Sequence, residues 1–156
     1  MEMRHINVQL KNWAELDKSE LYQLLKLRAE VFVVEQECAY QDVDGQDPDA
    51  LHLLAADEKQ SLIAYARLYD TQIEGKDYIA IGRVCTAEAF RGQGISRQLM
   101  EQAISYIESN QKKPITVSAQ AYLEQFYQSL GFATVSEPYL EDGIPHIRMI
   151  KDELGA

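Results

Sequence analysis

A chain of 156 residues with 46% hydrophobic content and no low-complexity run points to one folded domain, residues 1–156, with a core of reasonable size. Its 15 basic and 25 acidic residues leave a net charge of −10, which argues against sequence-independent nucleic-acid binding and suits either a cationic small partner or plain solubility. No apolar run approaches a membrane span, and Glu2, Arg4, Lys11, Glu15, Asp17 and Lys18 break up any secretory signal.

In chain order, INVQL (6–10) alternates weakly and reads as a first strand. LDKSELYQLLKLRAEVFVVEQ (16–36) reads as one helix, with Leu21, Leu24, Leu25, Val31 and Phe32 on one side. Asp17 followed by Glu20 resembles a capping box. QDVDGQDPD (41–49) is turn-rich. LHLLAAD (51–57) and SLIAYARLYD (61–70) read as strands joined by EKQ as a hairpin turn. A further turn, IEGKD, leads to the strand YIAIGRVC (78–85). Ile95, Leu99, Met100, Ala103, Ile104 and Ile107 then recur at helical spacing to about Asn110, and Pro114 blocks continuation. ITVSA (115–119) is a short strand, AYLEQFYQSLG (121–131) a helix stopped at Gly131, and FATV (132–135) and HIRMI (146–150) close the pattern as strands. The whole is an α/β arrangement: an early helix, an antiparallel meander, then strand–helix–strand–helix–strand.

FRGQGISRQLM (90–100) joins the strand ending at Cys85 to the amphipathic helix that runs to about Asn110. A dinucleotide fingerprint needs a third glycine where Arg97 stands, and the Gly-Lys-Ser/Thr of a Walker loop is absent. The physical logic of an anion site remains. First-turn amides lack intrahelical partners, and the helix dipole adds about 0.3–1 kcal/mol for a negative ligand. Arg91 and Arg97 add positive charge in an acidic chain. Spacing alone leaves two readings open: a phosphate cradle, or glycines that only shape a tight turn.

The run Arg91-Gly92-Gln93-Gly94-Ile95-Ser96 resembles the Arg/Gln-x-x-Gly-x-Gly/Ala motif of the GNAT N-acetyltransferases, with Ser96 replacing the usual Gly or Ala. FYQSLGF (126–132) resembles the helix-to-strand signature that ends that fold's core. LRAEVFVVEQECAYQDVDGQD (27–47), IGRVCT (81–86), SAQA (118–121) and EDGIPHI (141–147) are similar to the ElaA-like branch, so the likeness covers nearly the whole chain. It implies a mixed, mostly antiparallel central sheet with a splayed strand pair and flanking helices. It also implies a cytoplasmic acyltransferase moving acetyl from acetyl-CoA to a primary amine by direct attack in a ternary complex, without a metal.

Residue by residue, the resemblance implies that the backbone of Val84, Cys85 and Thr86 pairs with the pantetheine arm and polarises the thioester. It implies that Arg91, Gly92, Gln93, Gly94, Ile95, Ser96 and Arg97 hold the pyrophosphate, and that Gln120 hydrogen-bonds the cofactor arm. Tyr127 matches the family's usual general acid toward the leaving thiolate; its alternative role is core packing beside Phe126 and Leu130. Cys38 and Cys85 form no Cys-x-x-Cys and fit a reducing cytoplasm, and Cys85 reads as a strand residue ahead of a nucleophile. The glutamate that some members use as base corresponds here to Ile115, leaving Glu35, Glu37, His52 and His146 as candidates; His52, among apolar neighbours, also fits a satisfied core histidine.

DVDGQD (42–47) resembles the start of a calcium loop, but either register puts a leucine where the twelfth-position glutamate belongs, so an Asp-rich turn is expected. Residues 35–49 carry Glu35, Glu37, Asp42, Asp44, Asp47 and Asp49 with no Lys or Arg. Two readings stay open: an acidic border for a cationic acceptor such as a polyamine, an amino sugar or a basic peptide end, or a solvated loop. The expected partner is a small-molecule or peptide amine, with no nucleic acid or membrane; monomer and homodimer both fit. A rival function is an acyl-CoA sensor without turnover.

Overall fold

In the computed structural model, which describes residues 6–152, the strands are β1 (Asn7–Asn12), β2 (Leu51–Ala56), β3 (Leu62–Ile73), β4 (Lys76–Thr86), β5 (Ile115–Gln120), β6 (Ala133–Thr134), β7 (Tyr139–Glu141) and β8 (Ile144–Lys151). The helices are α1 (Lys18–Arg28), α2 (Ile95–Tyr106) and α3 (Glu124–Ser129). Hydrogen-bonded neighbours follow the order β1-β2-β3-β4-β5-β8-β6, with β7 on β8. This is the mixed α/β sheet with flanking helices that the sequence suggests.

Helix ends obey local chemistry. Asp17 accepts the Glu20 N–H at 2.7 Å, and the Glu20 carboxylate accepts the Asp17 N–H at 3.0 Å, a reciprocal capping box that starts α1. The helix does not run unbroken to residue 36: after Arg28 it widens into π-type turns over Ala29–Glu35. α2 widens likewise over Ile107–Gln111, and left-handed Lys112 ends it before Pro114. The expected helix at 121–131 is tighter at its start, with a 3₁₀ turn at Ala121–Leu123 before α3. α3 ends with the Phe132 N–H on Tyr127 O (3.1 Å) and the Gly131 N–H on Gln128 O (3.0 Å), the double bond that a left-handed Gly131 permits.

The chain folds as two compact units. The first comprises residues up to Tyr69 with Arg83–Ala103. β1 and β2, and β2 and β3, pair antiparallel. Its core includes Leu24, Leu27, Val31, Leu54, Tyr65 and Cys85. The second comprises Asp70–Gly82 with residues from Ile104 onward. There β4 and β5 pair in parallel through Ile79–Ile115 and Ala80–Thr116, while β8 pairs antiparallel with β5, β6 and β7. Glu74 and Gly75 both take positive φ, so a tight two-residue turn extends the β3–β4 pairing into IEGKD, which the sequence reads wholly as a turn. β7 is a strand that the sequence reading missed, closed against β8 by Asp142 and Gly143 at positive φ.

Buried in the first unit is a network of three arginines and three aspartates. Arg28 binds Asp42 (2.9 Å) and Asp47 (2.7 Å); Arg67 binds Asp44 (2.8 Å) and Asp47 (3.0 Å); Arg83 binds Asp42 (2.8 Å) and Asp44 (3.4 Å). Arg28, Arg67, Asp42 and Asp47 are buried, so removing one partner strands a charge away from water. Asp47→Ala is expected to cost about 3–5 kcal/mol, against less than about 0.5 kcal/mol for Lys26→Ala in an exposed pair with Glu30; urea unfolding checks both. Burial alone would raise the Asp44 carboxyl, but hydrogen bonds from Arg67 and the Gln46 N–H, with the charges of Arg67 and Arg83, hold it down at about 2. The stability it contributes is complete above the ordinary carboxylate value of about 3.9 and is lost as pH falls toward 2. Asp44→Asn should therefore flatten that acid limb, read as urea midpoints across the window.

Candidate active site

β4 kinks before it reaches the glycine loop. Arg83 takes φ 51°, uncommon for a residue with a side chain, directly ahead of Val84, Cys85 and Thr86. Its Nε donates to Asp42 Oδ1 at 2.8 Å, its Nη2 donates to Asp42 O at 3.2 Å, and the guanidinium lies over the Tyr40 ring at 5.4 Å. The Tyr40 hydroxyl donates to the same Asp42 Oδ1. Strand kinks of this kind re-aim backbone groups and persist only where surrounding contacts enforce them.

Val84 is half-buried, and Cys85 and Thr86 are buried. Burial pushes the Cys85 thiol up, so it stays protonated as a packing residue of the first unit's core rather than a nucleophile. Thr86 Oγ1 and Ser96 Oγ are 2.8 Å apart, tying the strand end to the first turn of α2. Arg91 donates through Nε to Thr86 O (3.0 Å) and through Nη2 to Glu35 Oε2 (2.7 Å). Its guanidinium thus braces the strand end and the extension of α1.

Gly92 and Gly94 take φ 78° and 77°, a left-handed geometry that strongly favours glycine. A Cβ on Gly92 would meet nothing within 4 Å, so backbone conformation rather than space demands glycine there. Gly94 O accepts the Gln98 N–H at 3.2 Å, the first turn of α2. The amides of Ile95 and Ser96 belong to this first turn, at the positive end of the helix. Ile95 is buried, Gln93 and Ser96 are half-buried, and Arg97 lies 4.0 Å from Glu101 one turn on. Such a donor set suits a phosphate-type anion.

In the second unit, Tyr127 is buried, with its ring edge-on to Phe126 (5.2 Å) and Phe132 (5.8 Å). Burial, with a smaller contribution from Tyr122, pushes its phenol up to about 12. The group remains a proton donor across the working pH range. Gln120 ends β5 and is the register partner of His146 on β8. His146 is buried, with Nδ1 2.7 Å from Ile144 O and Nε2 3.4 Å from Glu141 Oε2.

The candidate bases separate by environment. His52 is fully buried: Nε2 donates to Asp47 O (2.9 Å), Nδ1 accepts from the Tyr65 hydroxyl, and burial lowers its pKa. It is a neutral, satisfied core histidine. Glu35 is bound by Arg91. Glu37 takes φ 50° at the end of the π-type turns. The acidic segment is not simply solvated: Asp42, Asp44 and Asp47 face Arg28, Arg67 and Arg83 of this chain. Sequence reading singled out none of those three arginines, which lie on three separate elements, nor Tyr139 and Glu141, which Asp142-Gly143, a hairpin signal, could have located.

A family model described as an acetyltransferase (GNAT) domain matches residues 17–153. Protein ElaA of Escherichia coli (strain K12) is 44% identical over 146 residues, covering 92% of this chain and 94% of that one. UPF0039 protein C11D3.02c of Schizosaccharomyces pombe is 41% identical over 149 residues, covering 94% and 97%. Among solved structures, the crystal structure of Escherichia coli ElaA superposes with a TM-score of 0.86 at 43% identity, covering 95% of this chain and 100% of that one. An acyl-CoA N-acyltransferase from Pseudomonas aeruginosa gives a TM-score of 0.85 at 46% identity, covering 94% and 99%. With a left-handed glycine turn opening α2 and a family match over nearly the whole chain, the protein belongs to the GNAT acetyltransferase family, among ElaA-like relatives.

Proposed function

We propose that the chain transfers the acetyl group of acetyl-CoA to a primary amine in a ternary complex, in the cytoplasm. The observation that carries this reading is the pair of left-handed glycines, Gly92 and Gly94, opening α2 with first-turn amides that suit a diphosphate. Cys38 and Cys85 are not joined by a disulfide, which supports a reducing compartment.

Acetyl-CoA supplies an activated thioester. The amine nitrogen attacks its carbonyl carbon, the C–N bond forms, the C–S bond breaks, sulfur leaves as the thiolate, and the nitrogen gives up one proton to solvent to become the amide. The kink at Arg83 and the Thr86–Ser96 and Thr86–Arg91 bonds hold the Val84–Thr86 backbone rigid. Rigid donors aimed at a developing oxyanion are worth about 2.7–4 kcal/mol each in well-studied hydrolases. Tyr127 acts on the thiolate by the family resemblance. Its phenol, pushed up to about 12, is a weaker acid than an ordinary thiol at about 8.5. It therefore stabilises the thiolate by donating a hydrogen bond rather than by complete proton transfer.

Two substitutions test this reading. Gly94→Val forces a β-branched residue toward positive φ and should weaken CoA binding at least about tenfold in calorimetry, with the folded state checked by its melting curve. An unchanged affinity would remove the diphosphate cradle. Tyr127→Phe keeps the edge contacts to Phe126 and Phe132 and should lower kcat by about 100-fold in a thiol-release assay, leaving CoA affinity intact. Tight acetyl-CoA binding without thiol release on any amine would instead make the protein an acyl-CoA sensor.

A further inference from the structure

Six described residues other than glycine take positive φ. Glu37, Gln60, Glu74, Lys112 and Asp142 do so in turns or just past a helix or strand, whereas Arg83 does so inside β4. A left-handed residue within a strand makes a bulge, which re-aims the backbone groups that follow it. Glycine takes that conformation freely, and a side chain is strained in it. β4 carries a glycine one position earlier, Gly82, yet the left-handed residue is an arginine. Strain of this kind persists only where other contacts fix it.

Those contacts converge on Asp42. Arg83 grips it as a fork: Nε donates to Oδ1 at 2.8 Å and Nη2 to the main-chain oxygen at 3.2 Å. Arg28, the last residue of α1, forks onto it in the same way: Nε donates to Oδ2 at 2.9 Å and Nη2 to the same main-chain oxygen at 2.9 Å. A planar guanidinium that binds two acceptors at once fixes direction as well as distance. The Tyr40 hydroxyl donates to Oδ1 at 2.7 Å, and the Arg83 guanidinium lies over its ring. One aspartate thus anchors the bulge of β4 to the end of α1, and Arg28 and Asp42 are both buried.

Separate bonds hold the strand beyond the bulge. Thr86 Oγ1 meets Ser96 Oγ at 2.8 Å, Thr86 O accepts from Arg91 Nε at 3.0 Å, and the Ala87 N–H donates to Ile63 O at 2.8 Å. Val84, Cys85 and Thr86 are therefore held from both ends, by residues that all belong to the first unit. The bonds at Thr86 tie the segment to the glycine turn. The fork at Arg83 sets its direction.

We propose that Arg83 is a positioning residue for acetyl transfer: its fork onto Asp42 turns the main-chain N–H groups of Val84–Thr86 toward the thioester oxygen. This rests on the transferase reading above. As the amine adds, that oxygen gains negative charge, and a donor turned away from it stabilises the transition state less without loosening the diphosphate. Lysine at position 83 keeps the charge but has no Nε–Nη2 fork. Glycine there keeps the left-handed conformation and has no clamp at all. Neither change strands Asp42, which still binds Arg28 and Tyr40.

The test uses the full chain and acetyl-CoA labelled with ¹³C at the carbonyl, whose resonance reports polarisation of the thioester with no acceptor amine present. Binding to the wild type should move that resonance downfield. Arg83→Lys and Arg83→Gly should each retain less than about half of the shift, with the acetyl-CoA Kd from calorimetry within about threefold of wild type. Asp44→Asn is the control for stability alone: it weakens the network at Arg67 and should lower the melting temperature while keeping the full shift. A wild-type resonance that stays still on binding, a full shift in both Arg83 variants, or an equal loss in Asp44→Asn each overturns the positioning role and leaves the transferase reading standing. Folded Arg83 variants that bind acetyl-CoA more weakly than that limit also overturn it, because Arg83 would then act on binding. A wild-type chain with no affinity for acetyl-CoA sinks the transferase reading and the positioning role together.

Discussion

Three arginines paired with three aspartates, Arg28, Arg67, Asp42 and Asp47 of them buried, are the constraint on which the first unit depends. Residues 38–50 carry one short 3₁₀ turn and little apolar surface, so hydrophobic burial cannot hold them. Arg28 of α1, Arg67 of β3 and Arg83 of β4 reach the segment from three elements, and each of Asp42, Asp44 and Asp47 serves two of them. Charges match three to three, so no net charge is trapped. Buried ion pairs of this kind give little net stability over apolar packing, yet any other arrangement of the loop would strand a charge. Their effect here is to permit one path for the segment.

That path bears on the chemistry. Asp42 grips Arg83 at the kink of β4, the kink sets the Val84–Thr86 backbone, and Thr86 is tied to Ser96 at the start of α2 and to Arg91. Arg91 in turn binds Glu35 in the π-type extension of α1. A continuous series of polar contacts thus links the acidic segment to the glycine turn. Three of the six acids that seemed suited to a cationic ligand, Asp42, Asp44 and Asp47, pair instead with arginines of this chain, and the role of those three is architectural.

The second unit separates its titratable groups by environment. Tyr127 sits among phenylalanines in a helix closed by Gly131, so its phenol holds its proton. Glu141 and His146 lie on a hairpin, 3.4 Å apart, with Glu141 half-exposed.

Local chemistry was legible without coordinates. The Asp17–Glu20 box, the stop at Gly131, the apolar stripe of α2 and the glycine turn follow from contacts within a few residues, and each appears as its spacing implies. The π-type widening after Arg28 and the strand pairing in IEGKD did not show, because they depend on how the flanking residues pack and pair. The sequence by itself determined the family, most of the order of elements and the glycine turn that opens α2, since periodicity, caps and positive-φ glycines are local properties. Only the tertiary structure decided that Arg28, Arg67 and Arg83 neutralise the acidic segment, that His52 is a core residue, and that Glu141 faces His146. Those contacts join residues on separate elements, and burial, which sets their charge and proton state, exists only once the chain has folded.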